Sequence, residues 1–469
     1  MLIASDGPRE AGDPGVPRRS PRAWIVLLAC TAQFLVVLDV SLVTVAVPSI
    51  ARSLGLDELS MSWVVSAYTV AFAAVLLTGG RLCDVLGAKR TFVLAGALFA
   101  ATAVVGALSV SGEMLIVARA AQGVAAALLA PTSLTLLQNV PDPRARLRAV
   151  AAWSATSSVG GALGATLGGV LLLAWPWPAV LGFEAAAALV ATVAAVFALP
   201  AVARGTGRAF DGIGAIALAV TIAAAIVALV ETGTSGPAAA TSWIALGAAV
   251  LGAIVVIVRR RRAPDASLLP PALLRQPRIT AANLLILLVA MACFPLWYLL
   301  TLTLQAGHQL TPFVSGLLFL VPSAAVVLGS LAVPVLGRRL ALRTILLVGT
   351  AIATCGLAGL ALGATGGELW LGTVLPATAV ALGMGLLFTT LTSTATQDPP
   401  AGTAGLAAGL VNTSRQVGSA IGLAVVTIAY ANTASIVIAF AAAAAAGAVA
   451  VVVTVLVRRA IARVVSEGE

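Results

Sequence analysis

The apolar run from Trp24 to Pro48 holds a single charged residue, Asp39, deep inside it. At about 1.5 Å per residue the run reaches roughly 37 Å, enough to cross a hydrocarbon core of about 30 Å with some tilt. An ionised carboxylate at that depth costs several kcal/mol unless it is paired or faces water. Asp39 is therefore a candidate functional residue, and the rest of the chain has to supply its partner.

The whole chain fits that reading. It is 60% hydrophobic and 9% charged, with a mean hydropathy of +1.08, well outside the balance of a soluble domain. The net charge of +10 does not point to nucleic acid, because the basic residues sit in short runs between apolar segments, as the positive-inside rule requires. Cys30, Cys83, Cys293 and Cys355 are scattered singly and His308 is the one histidine, so neither a disulfide framework nor a metal site is implied.

Apolar runs predict an all-α integral membrane protein with about fourteen transmembrane helices, at 24–48, 61–80, 91–110, 114–139, 148–173, 179–200, 211–231, 240–258, 279–305, 313–336, 342–363, 368–392, 405–429 and 433–457. Arg and Lys cluster in alternate connections, Arg81 with Lys89 and Arg90, and Arg259 to Arg262 among them. The other connections carry Asp57, Glu58, Glu113, Glu231 and Glu368. Both termini are thus expected in the cytoplasm. Trp175 and Trp177 are expected in an outer aromatic belt.

A faint repeat relates Val85 to Gly96 with Val335 to Gly349, each between the second and third spans of a six-span block. The expected division is a disordered cytoplasmic tail (1–22), a six-helix bundle (23–200), an inserted helix pair with a cytoplasmic linker (201–278), a second bundle (279–457) and a cytoplasmic tail (458–469). The two bundles form a parallel pseudo-repeat.

Arg119, Gln122, Gly123 and Ala126 fall on one helical face, which makes Arg119 the natural partner of Asp39. Glu184 is expected as a wetted glutamate near the outer end of its span, with a second protonatable site as the alternative. Asp211 is placed to favour a helix N-terminus.

Several stretches resemble signatures of the major facilitator superfamily, in particular its fourteen-span drug:proton antiporter-2 (multidrug efflux) family, over nearly the whole chain. They are Leu38-Asp39-Val40-Ser41 through Pro48, the connection Gly80 to Lys89, Arg119-Ala120-Ala121-Gln122-Gly123, and Gly405 to Gly418. The resemblance implies proton coupling at Asp39 with Arg119, and a cytoplasmic gating loop at Gly80, Asp84, Gly87 and Lys89. Val85 and Ala88 stand where that loop is usually basic. Gly160, Gly164, Gly168 and Gly169 resemble the antiporter motif, with Ala165 at its usual proline.

Gln122, Glu184, Asn412, Arg415 and Gln416 are the candidate cavity residues. The expected function is proton-coupled export of small amphipathic organic compounds by alternating access, with multidrug efflux and antibiotic resistance as its consequence. The protein is expected to be a monomer in the plasma membrane, driven by the proton gradient without a cofactor. Uptake by the same fold is the alternative. No Walker motif, HExxH or Ser/His constellation marks an ATPase or an enzyme.

Overall fold

The computed structural model describes residues 21–199, 211–234, 240–262, 268, 271–363, 368–433 and 435–466. The expected N-terminal tail up to residue 20, and the start of the expected inserted region at 201–210, lie outside them. Every regular element among the described residues is helical. The first six are α1 (Pro21–Leu54), α2 (Glu58–Leu86), α3 (Ala88–Ala107), α4 (Gly112–Gln138), α5 (Pro143–Ala174) and α6 (Pro178–Ala198). Then come α7 (Gly212–Thr234), α8 (Ala240–Arg262), the single turn α9 (Pro271–Leu274), α10 (Pro277–Cys293) and α11 (Pro295–Leu302). The last are α12 (Pro312–Leu336), α13 (Leu342–Gly363), α14 (Leu375–Ala395), α15 (Ala404–Thr433) and α16 (Ile436–Ser466). Two π-helical turns, Thr303–Gly307 and Leu369–Val374, follow α11 and precede α14.

Local chemistry sets the boundaries. Asp57, Ser111, Asp142 and Thr311 each accept a backbone N–H from the first turn of the helix that follows, filling donors a helix start leaves open. Gly87 separates α2 from α3 at φ 86°, a conformation that favours glycine. α1 does not stop at Pro48 as the sequence suggests; it continues to Leu54, since one internal proline removes only one ladder bond from a long helix.

Ten described helices are long and apolar enough to cross a membrane. The segments Pro143–Gly161 and Thr166–Ala174, bent by 43°, add an eleventh when read as one span. Of the other expected spans, α7 and α16 contain the shorter apolar stretches Gly212–Ala228 and Ile436–Ala450 among the described residues, and α15 carries the polar run Asn412 to Gln416 in its middle.

α1 packs on α4, α5 and α6, α2 on α4, and α3 on α4 and α6. α10, α12, α13, α14, α15 and α16 form a second packed set, and the two sets meet where α2 lies on α15 and α5 on α12. α7 and α8 pack on each other, and α7 also on α2 and α15. Asp211 accepts the Gly214 N–H and pairs with Arg259 at 2.7 Å, so the start of α7 is tied to the end of α8. Trp175 is exposed, but Trp177 is buried against the core at the start of α6, so only one of the two fits the expected aromatic belt.

The glycines on α5 divide by what they face. A Cβ on Gly160 would meet the Phe34 carbonyl oxygen at 3.0 Å, one on Gly164 the Leu38 oxygen at 2.8 Å, and one on Gly168 the Leu42 oxygen at 3.0 Å. α5 is thereby seated on the backbone of α1 on both sides of Asp39. Gly169 has nothing within 4 Å of such a Cβ. Gly164→Leu is therefore expected to destabilise the protein by about 1–3 kcal/mol or more through overpacking, while Gly169→Leu leaves stability nearly unchanged. Thermal unfolding of the two purified variants in detergent checks this, and equal losses would contradict the asymmetry.

Candidate functional site: a buried ionic network and a seam between helix sets

Arg119 lies seven residues into α4, about 10 Å from its start, and its side chain is fully buried. Its guanidinium grips Asp39 with both prongs, Nη1 donating to Oδ1 at 2.6 Å and Nη2 to Oδ2 at 2.7 Å. Nε donates to the Val64 carbonyl at 3.2 Å. The Tyr68 ring lies 4.5 Å from the guanidinium carbon, and its hydroxyl donates to the Val36 carbonyl at 3.0 Å. A Cβ on Gly123 would clash with the Tyr68 carbonyl oxygen, so this glycine is what lets α4 approach α2 here. Bidentate charge-assisted bonds and a cation–π contact are the strong forms of these interactions.

Gln122 extends the network. Its Oε1 accepts from Arg119 Nη1 at 2.7 Å, and its Nε2 donates to Asp39 Oδ1 and to Glu184 Oε2, each at 2.9 Å. Both amide hydrogens and the amide oxygen are therefore used, which fixes the orientation of the group. Glu184 is not wetted at an interface; it is fully buried, and its Oε1 has no hydrogen-bond partner. Nor do Gln122 and Glu184 line a cavity as expected, since both are closed off inside the network.

A signal in α6 would have located Glu184. It shares a buried face with the small residues Ala188, Ala191 and Ala195, whereas Val190, Val193 and Phe197 face outward. Tyr68 had no such signal.

The second constellation lies on the seam between the two helix sets. Asp84 accepts the backbone N–H groups of Gly405 (2.6 Å, Oδ1) and Leu406 (2.9 Å, Oδ2), an acid on the first turn of α15 where donors and dipole both favour it. Gly80 packs directly on the Gly405 backbone, too close for a Cβ on either residue. The same end is tied by Gln138 Nε2 donating to Thr396 Oγ1 at 2.9 Å, and by Arg146 facing Asp398 at 3.8 Å. Lys89 takes no part in these contacts across the seam; its Nζ donates to the Leu199 carbonyl at 2.6 Å, closing the end of α6.

Farther along α15, Asn412 donates to the Ala408 carbonyl at 3.0 Å and accepts from Arg415 Nη2 at 2.8 Å. Arg415 and Gln416 are half-buried.

Comparison with known proteins decides what this arrangement belongs to. The Major Facilitator Superfamily profile matches residues 29–423. The chain belongs to that superfamily. Among related proteins, the cephamycin export protein of Amycolatopsis lactamdurans is 37% identical over 416 residues, covering 87% of this chain and 85% of its own. The puromycin resistance protein of Streptomyces alboniger is 34% identical, covering 88% of this chain and 83% of its own. The fold matches the human organic anion transporter TETRAN with a TM-score of 0.67 at 16% identity, over 93% of this chain and 100% of that one. It matches a proton:xylose symporter with a TM-score of 0.66 at 12% identity, over 92% and 95%. This major facilitator protein is thus a multi-pass membrane transporter and not an enzyme.

If the Asp39–Arg119 contact holds α1 to α4, the two residues act as a unit. Arg119→Ala is expected to cost about 3–5 kcal/mol, because it strands a buried carboxylate. In an Asp39→Asn background the same change should cost much less. Thermal unfolding of both single variants and the double variant closes the cycle, and additive losses would contradict the pairing.

Proposed function

We propose that this transporter is a proton-coupled exporter, an antiporter that expels small amphipathic organic compounds by alternating access. The observation that carries the reading is the buried network of two carboxylates and one guanidinium, Asp39, Glu184 and Arg119. With both acids ionised the network would hold one uncompensated negative charge away from water, at a cost of several kcal/mol. One proton balances it.

Asp39 is bound by both prongs of Arg119 and by Gln122, so both of its oxygens are engaged by donors. Glu184 has one donor on one oxygen only, so the proton resides on Glu184. The charged and titratable groups around it are Asp39 from α1, Tyr68 from α2 and Arg119 from α4.

In this reading the chain is a monomer in the plasma membrane with both termini in the cytoplasm. It has fourteen spans, two six-helix bundles and α7 and α8 as the inserted pair. The contacts of Asp84, Gly80 and Gln138 with the other helix set are then a cytoplasmic seal that must open once per cycle. Export over uptake is supported by relatives named for cephamycin export and puromycin resistance. Proton entry to Glu184 from outside would exchange for substrate leaving by the same route, with no need for a nucleotide.

Inside-out vesicles energised to an acid interior and carrying a pH probe provide the test. A panel of cationic, neutral and anionic compounds is added, and substrates of the wild type should discharge the gradient. Glu184→Gln is expected to abolish this discharge while leaving exchange of substrate at equal pH. Asp39→Asn is expected to abolish it as well, because it removes the carboxylate that holds Arg119 in place beside Glu184. Wild-type proton release by Glu184→Gln would refute the coupling.

A further inference from the structure

Arg415 is a charged residue that the network above leaves unexplained. It lies eleven residues into α15, about 16 Å from that helix's start, which in the fourteen-span reading puts it within the hydrocarbon layer. Its bonded neighbours are neutral: Asn412 Oδ1 at 2.8 Å, and the Trp153 ring with its centre 5.9 Å from the guanidinium carbon. Among the described residues no carboxylate pairs with it. A guanidinium at this depth ordinarily finds an anion, and one held without any marks a place for a ligand's charge.

The surroundings hold the group in position. Trp153 on α5 is buried and its indole Nε1 donates to Ser133 on α4 at 2.9 Å, so the ring is fixed from the first helix set. Asn412 is buried and anchored to Ala408 from the second. Arg415 itself is half-buried, and Gln416 beside it is also half-buried. A cation at the seam between the two helix sets, held from both and still partly exposed, can meet a solute that a lipid headgroup at the surface cannot reach.

We propose that Arg415 receives the anionic group of the transported compound, a carboxylate or sulfonate on an aromatic or otherwise apolar body that stacks beside Trp153. The ligand being cargo rests on the export reading, but the site does not depend on proton coupling. A planar carboxylate matches the guanidinium fork, and Asn412 keeps one prong oriented while the others remain available.

The test is counterflow of fluorescein, 2-naphthoate and benzylpenicillin into preloaded phosphatidylcholine proteoliposomes at equal internal and external pH, with no anionic lipid present. The wild type is expected to carry at least one of these acids with saturation. Its methyl ester should compete on the order of 30-fold more weakly than the acid itself. Arg415→Gln is expected to raise KM for the acid by a similar factor, and Arg415→Lys by less. The acid and ester comparison uses the wild type alone, so it stands even if Arg415→Gln folds poorly. An ester that competes as well as its acid, an unchanged KM in a folded Arg415→Gln, or carriage of cationic rhodamine 6G but none of the acids would overturn the proposal. Loss of proton movement with intact acid counterflow would fail the coupling reading alone.

Discussion

The two-pronged contact between Arg119 and Asp39 is the interaction on which the rest of the first helix set depends. Neither side chain is exposed, so each charge is tolerable only while the other is in place. The requirement reaches outward. α1 has to present Asp39 beside α4, Gly123 has to let α2 close on α4 so that Tyr68 covers the guanidinium, and Gln122 has to link the pair to Glu184 on α6. Four helices are held in register by one ionic centre, and the glycine stripe of α5 presses on α1 around it.

The seam between the helix sets uses weaker forces. Asp84 on the first turn of α15, the close Gly80 and Gly405 backbones and a few polar contacts are each worth about a kcal/mol or less at a partly wetted surface. A strong, desolvated centre inside one set beside a weaker contact between sets is the balance alternating access requires. In the proposed cycle the sets would keep their internal structure while the boundary between them opens.

Much of this was legible in the sequence, and the reasons for the exceptions are physical. Asp39 and Arg119 could be paired from cost alone, since a mid-span acid needs a cation and Arg119 shares a face with Gln122 and Gly123. Gly80 and Asp84 could be read as a tight, charged connection, though their partner at Gly405, more than three hundred residues away, could not be read from local pattern. Glu184 was misplaced because an acid near a helix end looks the same in sequence whether it turns to water or to the core. The row of alanines on its face was the missing discriminant. Lys89 reads as part of the gating loop but closes α6, a choice that depends on where α3 and α6 end relative to each other. The span count is harder to read, because a polar run such as Asn412 to Gln416 lowers the hydropathy of a helix without changing its length.

The proposed coupling places a single proton in the network of two acids and one arginine. Infrared difference spectroscopy of the purified protein in lipid, between mildly acidic and strongly alkaline buffer, observes that proton through the C=O stretch of a protonated, dehydrated carboxylic acid. The wild type should show this band and lose it at high pH, and Glu184→Gln should lack it at every pH. A wild type without the band, or a Glu184→Gln protein that retains it, would contradict the assignment of the proton to Glu184.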